Sequence, residues 1–478
     1  MKSIFFFSLF RFGTDFVKEL KKKDIIPAMV SSFNIVEEKS TLNLSNCIIQ
    51  NTQDIAKGLF PDELLSQGYR PITPSPEFLV NLADCERILI PMLERLNYYN
   101  LRSIKLIEKY HTFVANWLGI YKALDPNVII FSGTPHEGSD FVAYSVAKEL
   151  GIKTLILERT IFTDRILIQK DIFDFKKMPT DYVSNEQIDD SFLKNYQKYE
   201  KSRVTAPKPS PLKKIRNIAA RISNIKGLFE AEYDTAFGLC NNQPVFLKKK
   251  IYEKLGTQQA NKIKKFYQVN SVSPDFKVPY LYFPLNLQPE RTTLPLGRYF
   301  WNHKYVLKVL LAALPDGWKI YVKDHPRQFS RTPLKFAMAR DRDFYESLIE
   351  DERVDLIDLS SDSEKLIESS QCVATITGTA GWEAIRQLVP VLLFGYPWYR
   401  ECPEILKVNT IADCVLHLSN IKKGRIKVDE NRLKNYAAWI KNKASYAGSQ
   451  FPELGTFLGL QENAAKIVSA LLNELELY

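Results

Sequence analysis

The stretch CVATITGTAGWEAIRQLVPVLLFG, residues 372–395, decides the fold class of this chain. Two short apolar runs, 372–377 and 390–395, flank a segment of helical character at 381–388. A strand, a helix and another strand in such quick succession form the repeating unit of a parallel sheet. The stretch therefore predicts an α/β fold.

The same alternation extends toward both ends of the sequence. In the second half, the predicted strands are 279–285, 318–323 and 353–358, and the predicted helices are 302–314, 341–350 and 363–370. In the first half, the predicted strands are 3–10, 25–32, 127–133 and 153–158, and the predicted helices are 14–24, 76–124 and 140–151. Two such series predict two Rossmann-like, doubly wound lobes that face a cleft.

The 478 residues exceed the length of one typical domain, which is about 100–200 residues. A Pro- and Lys-rich stretch at 203–214 is typical of a linker. We expect an N-terminal lobe at 1–200, a basic linker and helical segment at 201–270, a C-terminal lobe at 271–430 and C-terminal helices at 431–478.

The formal net charge of +10 suggests an acidic partner. Residues 201–228 contain eight Lys or Arg and no Asp or Glu, and their apolar residues have helical spacing. One interpretation is a helix packed on a lobe with a solvated basic face, and the other is a helix lying on anionic membrane lipid. Aromatic residues do not alternate with the basic ones, so nucleic-acid binding is not expected.

The patterns of cysteine, histidine and apolar residues limit which cellular compartment and which cofactors we expect. The six cysteines show no C-x-x-C spacing, which favours a reducing compartment, and the five histidines form no metal-binding pair. No apolar run reaches about 18 residues, and the N-terminal apolar run is interrupted by Arg11. We expect a cytoplasmic protein without a metal or other cofactor, with 3–10 a strand and not a signal peptide.

The sequence KDHPRQF follows the predicted strand at 318–323. Lys323, His325 and Arg327 bring three cationic groups to a strand end, and Pro326 fixes the turn. His325 could donate to a phosphate oxygen or protonate a leaving group. An exposed basic strand end, with Asp324 paired locally, is the alternative interpretation.

The residues Thr377-Gly378-Thr379-Ala380-Gly381 join a predicted strand directly to a helix. Small residues allow close backbone approach, and a helix start binds anions. Glu383 is either a helix-start carboxylate or a contact for a ribose hydroxyl. The loop matches neither a Walker A nor a G-x-G-x-x-G motif, so it names no particular nucleotide.

Two further polar loops follow predicted strands. The loop FPLNLQPERTTLPLG, residues 283–297, is longer than a strand-to-helix connection requires. Its candidates for sugar or nucleotide contacts are Gln288, Glu290, Arg291, Thr292 and Thr293. In the first half, the loop SGTPHEGSDF, residues 132–141, carries His136, Glu137 and Asp140. Glu137 or Asp140 could be a general base, although Asp140 also suits the N-cap of the next helix.

Several of these motifs together resemble a known family. The segments YVKDHPRQF, TITGTAGWEAIRQLVPVLLFGYPWY and YFPLNLQPERTTLPLG are similar to bacterial capsule polysaccharide biosynthesis and export proteins, and PHEGSDFVAYSVAKELGI adds a weaker likeness. That family resembles GT-B glycosyltransferases, including Kdo transferases. A similar pairing of a His-Pro motif with a hydroxyl-rich loop occurs in bacterial sialyltransferases and in teichoic-acid glycerophosphotransferases.

The resemblance implies a metal-independent glycosyltransferase of capsule or other surface polysaccharide, with a nucleotide-sugar as donor and a CMP-linked sugar expected. It implies that His325 and Lys323 contact the donor phosphate, that Thr377, Gly378 and Thr379 cradle it, and that Glu383 lies near a sugar. The acceptor would be a glycan or lipid-linked glycan, and 201–228 could dock the enzyme at the inner face of the plasma membrane. The alternatives are a glycan-binding assembly factor of the export machinery, a nucleotide-sugar epimerase and a polyol-phosphate transferase.

Overall fold

The computed structural model describes residues 2–6, 12–32, 47–94, 103–160, 165–184, 188, 245–288, 293–329, 340–447 and 460–476. The basic segment 201–228 and most of the predicted linker lie outside these ranges. None of the helices within the described ranges is both long and apolar enough to cross a membrane.

In the described part of the N-terminal lobe, seven strands form one sheet in the order β13-β6-β5-β4-β1-β2-β3. The strands are β1 (Lys2–Phe6), β2 (Ile26–Ser32), β3 (Ile48–Asn51), β4 (Val128–Phe131), β5 (Lys153–Arg159), β6 (Arg165–Gln169) and β13 (Tyr446–Ala447). β1 to β5 are parallel, whereas β6 and β13 pair antiparallel at one edge. The four strands predicted for this half are confirmed, and β3, β6 and β13 are additions.

Helices cover both faces of this sheet. They are α1 (Phe12–Lys21), α2 (Thr52–Lys57), α3 (Asp62–Ser66), α4 (Pro76–Asn81), α5 (Ala83–Glu94), α6 (Ser103–Leu124) and α7 (Ser139–Glu149). Along β4, Val128 and Ile130 pack on the face of α1, while Ile129 and Phe131 pack on the face of α5 to α7. Alternate side chains of a strand point to opposite faces, so an all-apolar strand such as β4 must be covered on both.

The C-terminal lobe has six parallel strands among its described residues, in the order β12-β11-β10-β7-β8-β9. They are β7 (Tyr280–Pro284), β8 (Lys319–Lys323), β9 (Val354–Leu356), β10 (Cys372–Thr375), β11 (Val391–Leu393) and β12 (Ile405–Lys407). The order corresponds to the 3-2-1-4-5-6 arrangement of Rossmann folds. β7 to β11 were predicted, and β12 was not.

The helices of the second half are α8 (Val245–Asn270), α9 (His303–Ala313), α10 (Arg342–Leu348), α11 (Ser363–Glu368), α12 (Thr379–Arg386), α13 (Ile411–Lys422), α14 (Glu430–Trp439) and α15 (Leu460–Glu476). One face of the sheet packs on α8, α9 and α13, and the other packs on α11, α12 and α14. The predicted fold class, GT-B-like with two Rossmann-like α/β lobes, is therefore confirmed.

The C-terminal tail returns to the N-terminal lobe. After α14, Tyr446 pairs with Ile166 of β6, and α15 packs on α1. Leu294 and Leu296, which follow β7, join the hydrophobic core of the N-terminal lobe. Both connections hold the two lobes together, whereas the predicted domain boundaries remain a prediction.

Candidate active site

The order of the C-terminal sheet reverses between β7 and β10. Loops that leave two such strands diverge, and the crevice outside their carboxyl ends is where open α/β sheets bind ligands. The loop after β7 begins at Leu285, the loop after β10 begins at Ile376, and β8, the other neighbour of β7, ends before Asp324. The three polar loops predicted in this half therefore start at the carboxyl ends of three adjacent strands.

The loop after β10 enters α12 directly. The helix begins at Thr379, two residues earlier than the sequence suggested, with Gly378 as its N-cap. The Gly378 N–H donates to Thr375 Oγ1 at 3.1 Å, and Gly378, as a glycine, has no side chain with which to cap the helix. The first N–H groups of a helix lack the usual carbonyl four residues back, although here the Gly381 N–H donates to the Gly378 carbonyl at 3.3 Å. The helix dipole adds partial positive charge. This start is suited to a phosphate, with Thr377 buried below it and Thr379 exposed beside it.

Close packing fixes the start of α12. The Tyr399 hydroxyl donates to the Gly378 carbonyl, and a Cβ at Gly381 would overlap that hydroxyl and lie 2.9 Å from Thr375 Cγ2. Glu383 lies one turn beyond the helix start. Burial raises the pKa of the Tyr399 phenol, and the charge of Glu383 raises it further, so the carboxylate lies close to this ring.

The loop after β8 places the predicted cationic residues differently. The ammonium of Lys323 is buried and donates to the Ser361 carbonyl at 2.5 Å and to Ser363 Oγ at 2.9 Å, and burial lowers its pKa. His325 is half-buried, and its N–H donates to Asp324 Oδ1 at 2.6 Å. Pro326–Phe329 form a 3-10 turn, in which the side chain of Arg327 lies outside the described part.

A buried ion pair fastens the loops after β7 and β8 to each other. Arg340 donates through Nη1 to the Asp324 carboxylate and through Nη2 to the Asn286 carbonyl. The side chains of Arg340 and Asp324 are 1% and 0% exposed. The Tyr345 hydroxyl also donates to Asp324, and the Asp324 N–H donates to the Tyr267 hydroxyl at 3.1 Å. His325 therefore follows a rigidly held residue.

Two glutamines connect the same loops a second time. The Gln288 N–H donates to Gln328 Oε1, and Gln328 Nε2 donates to the Gln288 carbonyl, both at 2.9 Å. The Gln288 side chain donates to Thr293 Oγ1 at 2.8 Å. The predicted ligand contact Gln288 is thus engaged within its own loop, and Glu290, Arg291 and Thr292 lie outside the described residues.

In the N-terminal lobe, the loop of 132–138 follows β4, at the switch point next to β1. The Asp140 carboxylate accepts from the N–H groups of His136 at 2.9 Å and of Glu137 and Phe141 at 2.7 Å. Gly138 precedes α7 with φ +94°, a conformation that favours glycine. Asp140 therefore organises this loop from within the first turn of α7, close to the predicted capping role.

The same loop gathers several acid and base groups. Glu137 Oε1 lies 3.9 Å from His136 Nε2. Burial, and then the charge of Glu137, raises the pKa of Asp140 to about 7. Thr134 Oγ1 donates to Glu158, at the end of β5, and burial raises the pKa of Glu158. Asp140, with its pKa of about 7, can exchange protons near neutral pH.

Three residues of these loops were missed by sequence reasoning: Asn286, Arg340 and Glu158. Glu158 closes the predicted strand KTLILE, so its position at a strand end was a usable signal. Asn286 lies within the singled-out loop 283–297, but its neighbours are polar as well. The partner of Arg340 is 16 residues away along the chain, and no local pattern indicates that pairing.

One protein family matches the segment that contains most of the C-terminal loops of the candidate site. Residues 295–402 match the family of capsule polysaccharide biosynthesis proteins. The match includes the His325 loop and the start of α12, and it confirms the resemblance. No curated protein matches the sequence.

Solved structures of a Kdo transferase and of a UDP-GlcNAc epimerase are similar at low identity. The KpsC β-Kdo 2,7-transferase of Thermosulfurimonas dismutans is 13% identical with a TM-score of 0.31, over 81% of this chain and 96% of that chain. The UDP-GlcNAc 2-epimerase of Methanocaldococcus jannaschii, in complex with UDP-GlcNAc and UDP, is 12% identical with a TM-score of 0.25, over 92% and 99%. The strand orders of the two sheets, and not these similarities, show the fold.

Proposed function

We propose that the protein is a glycosyltransferase that moves a sugar from a nucleotide donor to a hydroxyl of a growing capsule or other surface polysaccharide. Kdo carried by CMP is the donor we favour, on the basis of the family resemblance. The observation that supports the proposal best is the start of α12, with glycine as its N-cap, at the switch point of the C-terminal sheet, next to the His325 loop.

In the proposed reaction, the acceptor oxygen forms a bond to the anomeric carbon of the donor sugar. The bond from that carbon to the phosphate oxygen breaks, and its electron pair leaves with the nucleotide. The first turn of α12, with Thr377 and Thr379, would stabilise the charge that develops on the phosphate. His325 would add a hydrogen bond or a proton to the same oxygen.

The acceptor hydroxyl must lose its proton in this reaction. We propose that Glu137, in the loop of the N-terminal lobe, accepts this proton as the general base. Asp140 of the same loop would position Glu137. The Asp140 carboxylate accepts hydrogen bonds from three backbone N–H groups, which orient it toward its own loop. These bonds support a positioning role for Asp140 and leave Glu137 as the base.

We further propose that phosphate stabilisation by these protein groups makes the transfer independent of divalent metal. In the described part of the chain, no three His, Cys, Asp or Glu side chains are grouped to hold an ion. The proposal itself is tested by activity in excess EDTA, which should equal the activity with added Mg²⁺ or Mn²⁺. A loss in EDTA that Mg²⁺ restores would contradict it.

The test of the proposed function is nucleotide release from a panel of CMP-, UDP- and GDP-sugars, with and without a polysaccharide acceptor. His325→Ala should lower the turnover of the accepted donor about 100-fold, as the loss of one transition-state hydrogen bond does elsewhere. His417→Ala is the matched control, because His417 contacts the Lys407 carbonyl at the far edge of the same sheet. Turnover unchanged in His325→Ala, or no donor turned over, would contradict the proposal.

We also propose that the enzyme works at the inner face of the plasma membrane, bound through 201–228. The support is the basic, helically spaced sequence of that segment. Binding to vesicles that contain phosphatidylglycerol, and not to pure phosphatidylcholine vesicles, is the expected result. Equal binding of a variant with the eight basic residues replaced by Gln would contradict this role.

A further inference from the structure

Asn286 occupies the switch point of the C-terminal sheet, two residues beyond β7. It is 8% exposed, and its backbone is held on both sides. Its N–H donates to His303 Nε2 at 3.1 Å, and its carbonyl accepts from Arg340. Burial and the Arg340 charge hold the pKa of His303 well below its usual range, so a neutral imidazole accepts this bond. The backbone that carries the Asn286 side chain is therefore fixed.

The side-chain amide of Asn286 faces the start of α12. Its nitrogen lies 3.4 Å from the point where a Cβ on Gly378 would stand. Within the described residues, the buried Oδ1 atom has no hydrogen-bond partner. A buried polar atom without a partner is destabilising, and such atoms in binding sites are satisfied by a ligand.

We propose that the Asn286 amide binds a hydroxyl group of the donor, adjacent to the phosphate at the start of α12. This inference rests on the proposed function, because that function supplies a phosphate with a sugar on each side. The hydroxyl belongs to the ribose of the nucleotide or to the transferred sugar, and both would donate to the amide oxygen. Asn286 is then a donor-binding residue in a loop whose Gln288 side chain is already bonded to Thr293.

The test is calorimetric titration of the full chain with CMP, UDP and GDP, with their 2′-deoxy and 3′-deoxy forms, and with the corresponding nucleotide-sugars. The variants are Asn286→Leu, which keeps the side-chain shape, and Asn286→Asp, which keeps an acceptor. Asn270→Leu is the matched control, because the Asn270 amide donates to the Phe266 carbonyl within α8. Circular dichroism of each variant checks that it folds.

If the amide binds a ribose hydroxyl, the wild type should prefer the ribonucleotide to one deoxy form about 10-fold, and Asn286→Leu should abolish that preference. If it binds the transferred sugar, Asn286→Leu should weaken the nucleotide-sugar about 10-fold and leave the free nucleotide unchanged. Asn286→Asp should keep the discrimination but bind more weakly, because its charge opposes the phosphate.

Affinities of Asn286→Leu within twofold of the wild type, for nucleotides and nucleotide-sugars alike, would overturn this inference and leave the proposed function intact. If Asn286→Leu does not fold, full loss of discrimination in a folded Asn286→Asp would overturn it equally. A wild-type protein that binds no nucleotide would overturn the inference together with the proposed function.

Discussion

Replacing Arg340 with methionine tests how the predicted phosphate-binding loops are held together. The change removes the cation of a fully buried ion pair and leaves the Asp324 carboxylate with two neutral donors, the Tyr345 hydroxyl and the His325 N–H. It also removes the donor to the Asn286 carbonyl. The loops after β7 and β8 then keep the contact between Gln288 and Gln328 but lose the one through Arg340.

The expected loss of stability is large. Removing one partner of a buried ion pair typically costs about 3–5 kcal/mol, because the remaining charge is left uncompensated in the interior. The matched control is Arg342→Met, two residues away. The Arg342–Glu346 pair spans one helical turn and is 67% and 42% exposed, so its loss should cost about 0.3–0.5 kcal/mol.

The assay is urea unfolding of the C-terminal lobe, followed by the fluorescence of the buried Trp318 and Trp382. The double variant Arg340→Met with Asp324→Asn should recover part of the loss, because it no longer buries a lone charge. Equal losses in Arg340→Met and Arg342→Met would refute the reasoning. The reasoning would also be refuted if the double variant lost as much stability as Arg340→Met and Asp324→Asn lose in sum.

Three further predictions concern other contacts of the fold. Gly381→Ala should lower the free energy of unfolding by about 1–3 kcal/mol through overlap with the Tyr399 hydroxyl, and Tyr399→Phe should restore part of it in a denaturation assay. Burial raises the pKa of Asp140 to about 7, so the native state binds a proton that the unfolded chain releases at lower pH. The contribution of Asp140 to stability should therefore fall as pH rises from about 4 to about 7. In Asp140→Asn this slope should be missing, and a slope equal to that of the wild type would count against the shift. The Arg298–Asp84 contact between the lobes, 3.2 Å long and 30% and 60% exposed, should show a coupling of only about 0.2–1 kcal/mol in a double-mutant cycle, whereas a coupling above about 2 kcal/mol would contradict this weak role.

The sequence pattern predicted β4 and β10 because strands covered on both faces are continuous apolar runs. β4 and β10 are buried on both faces, which gives their sequences no polar alternation and marks them against their neighbours. β13 has two residues, too few for a periodic signal, whereas β12 was missed although it is as long as the predicted β9 and β11. β13 forms because the chain returns to pair with β6, which depends on tertiary structure alone.

The candidate site was predictable to the level of loops but not of contacts. Polar residues after apolar strands identified the His325 loop and the start of α12, because carboxyl ends of parallel strands share an edge of the sheet. The hydrogen bond from Lys323 to the Ser361 carbonyl reaches the segment that follows the neighbouring strand β9. The hydrogen bond from Arg340 to the Asn286 carbonyl joins residues 54 positions apart. Such pairings are set by the strand order, which local sequence does not encode.

We expect the switch point of the C-terminal sheet to bind the donor nucleotide. Hydrogen–deuterium exchange of the full chain, with and without saturating CMP, UDP, GDP or CDP, tests it most directly. At least one nucleotide should slow exchange in the peptides that cover 285–288, 324–329 and 376–383, because the ligand would cover these backbone amides. Protection confined to other parts of the chain, or no protection with any of the four nucleotides, would contradict the account.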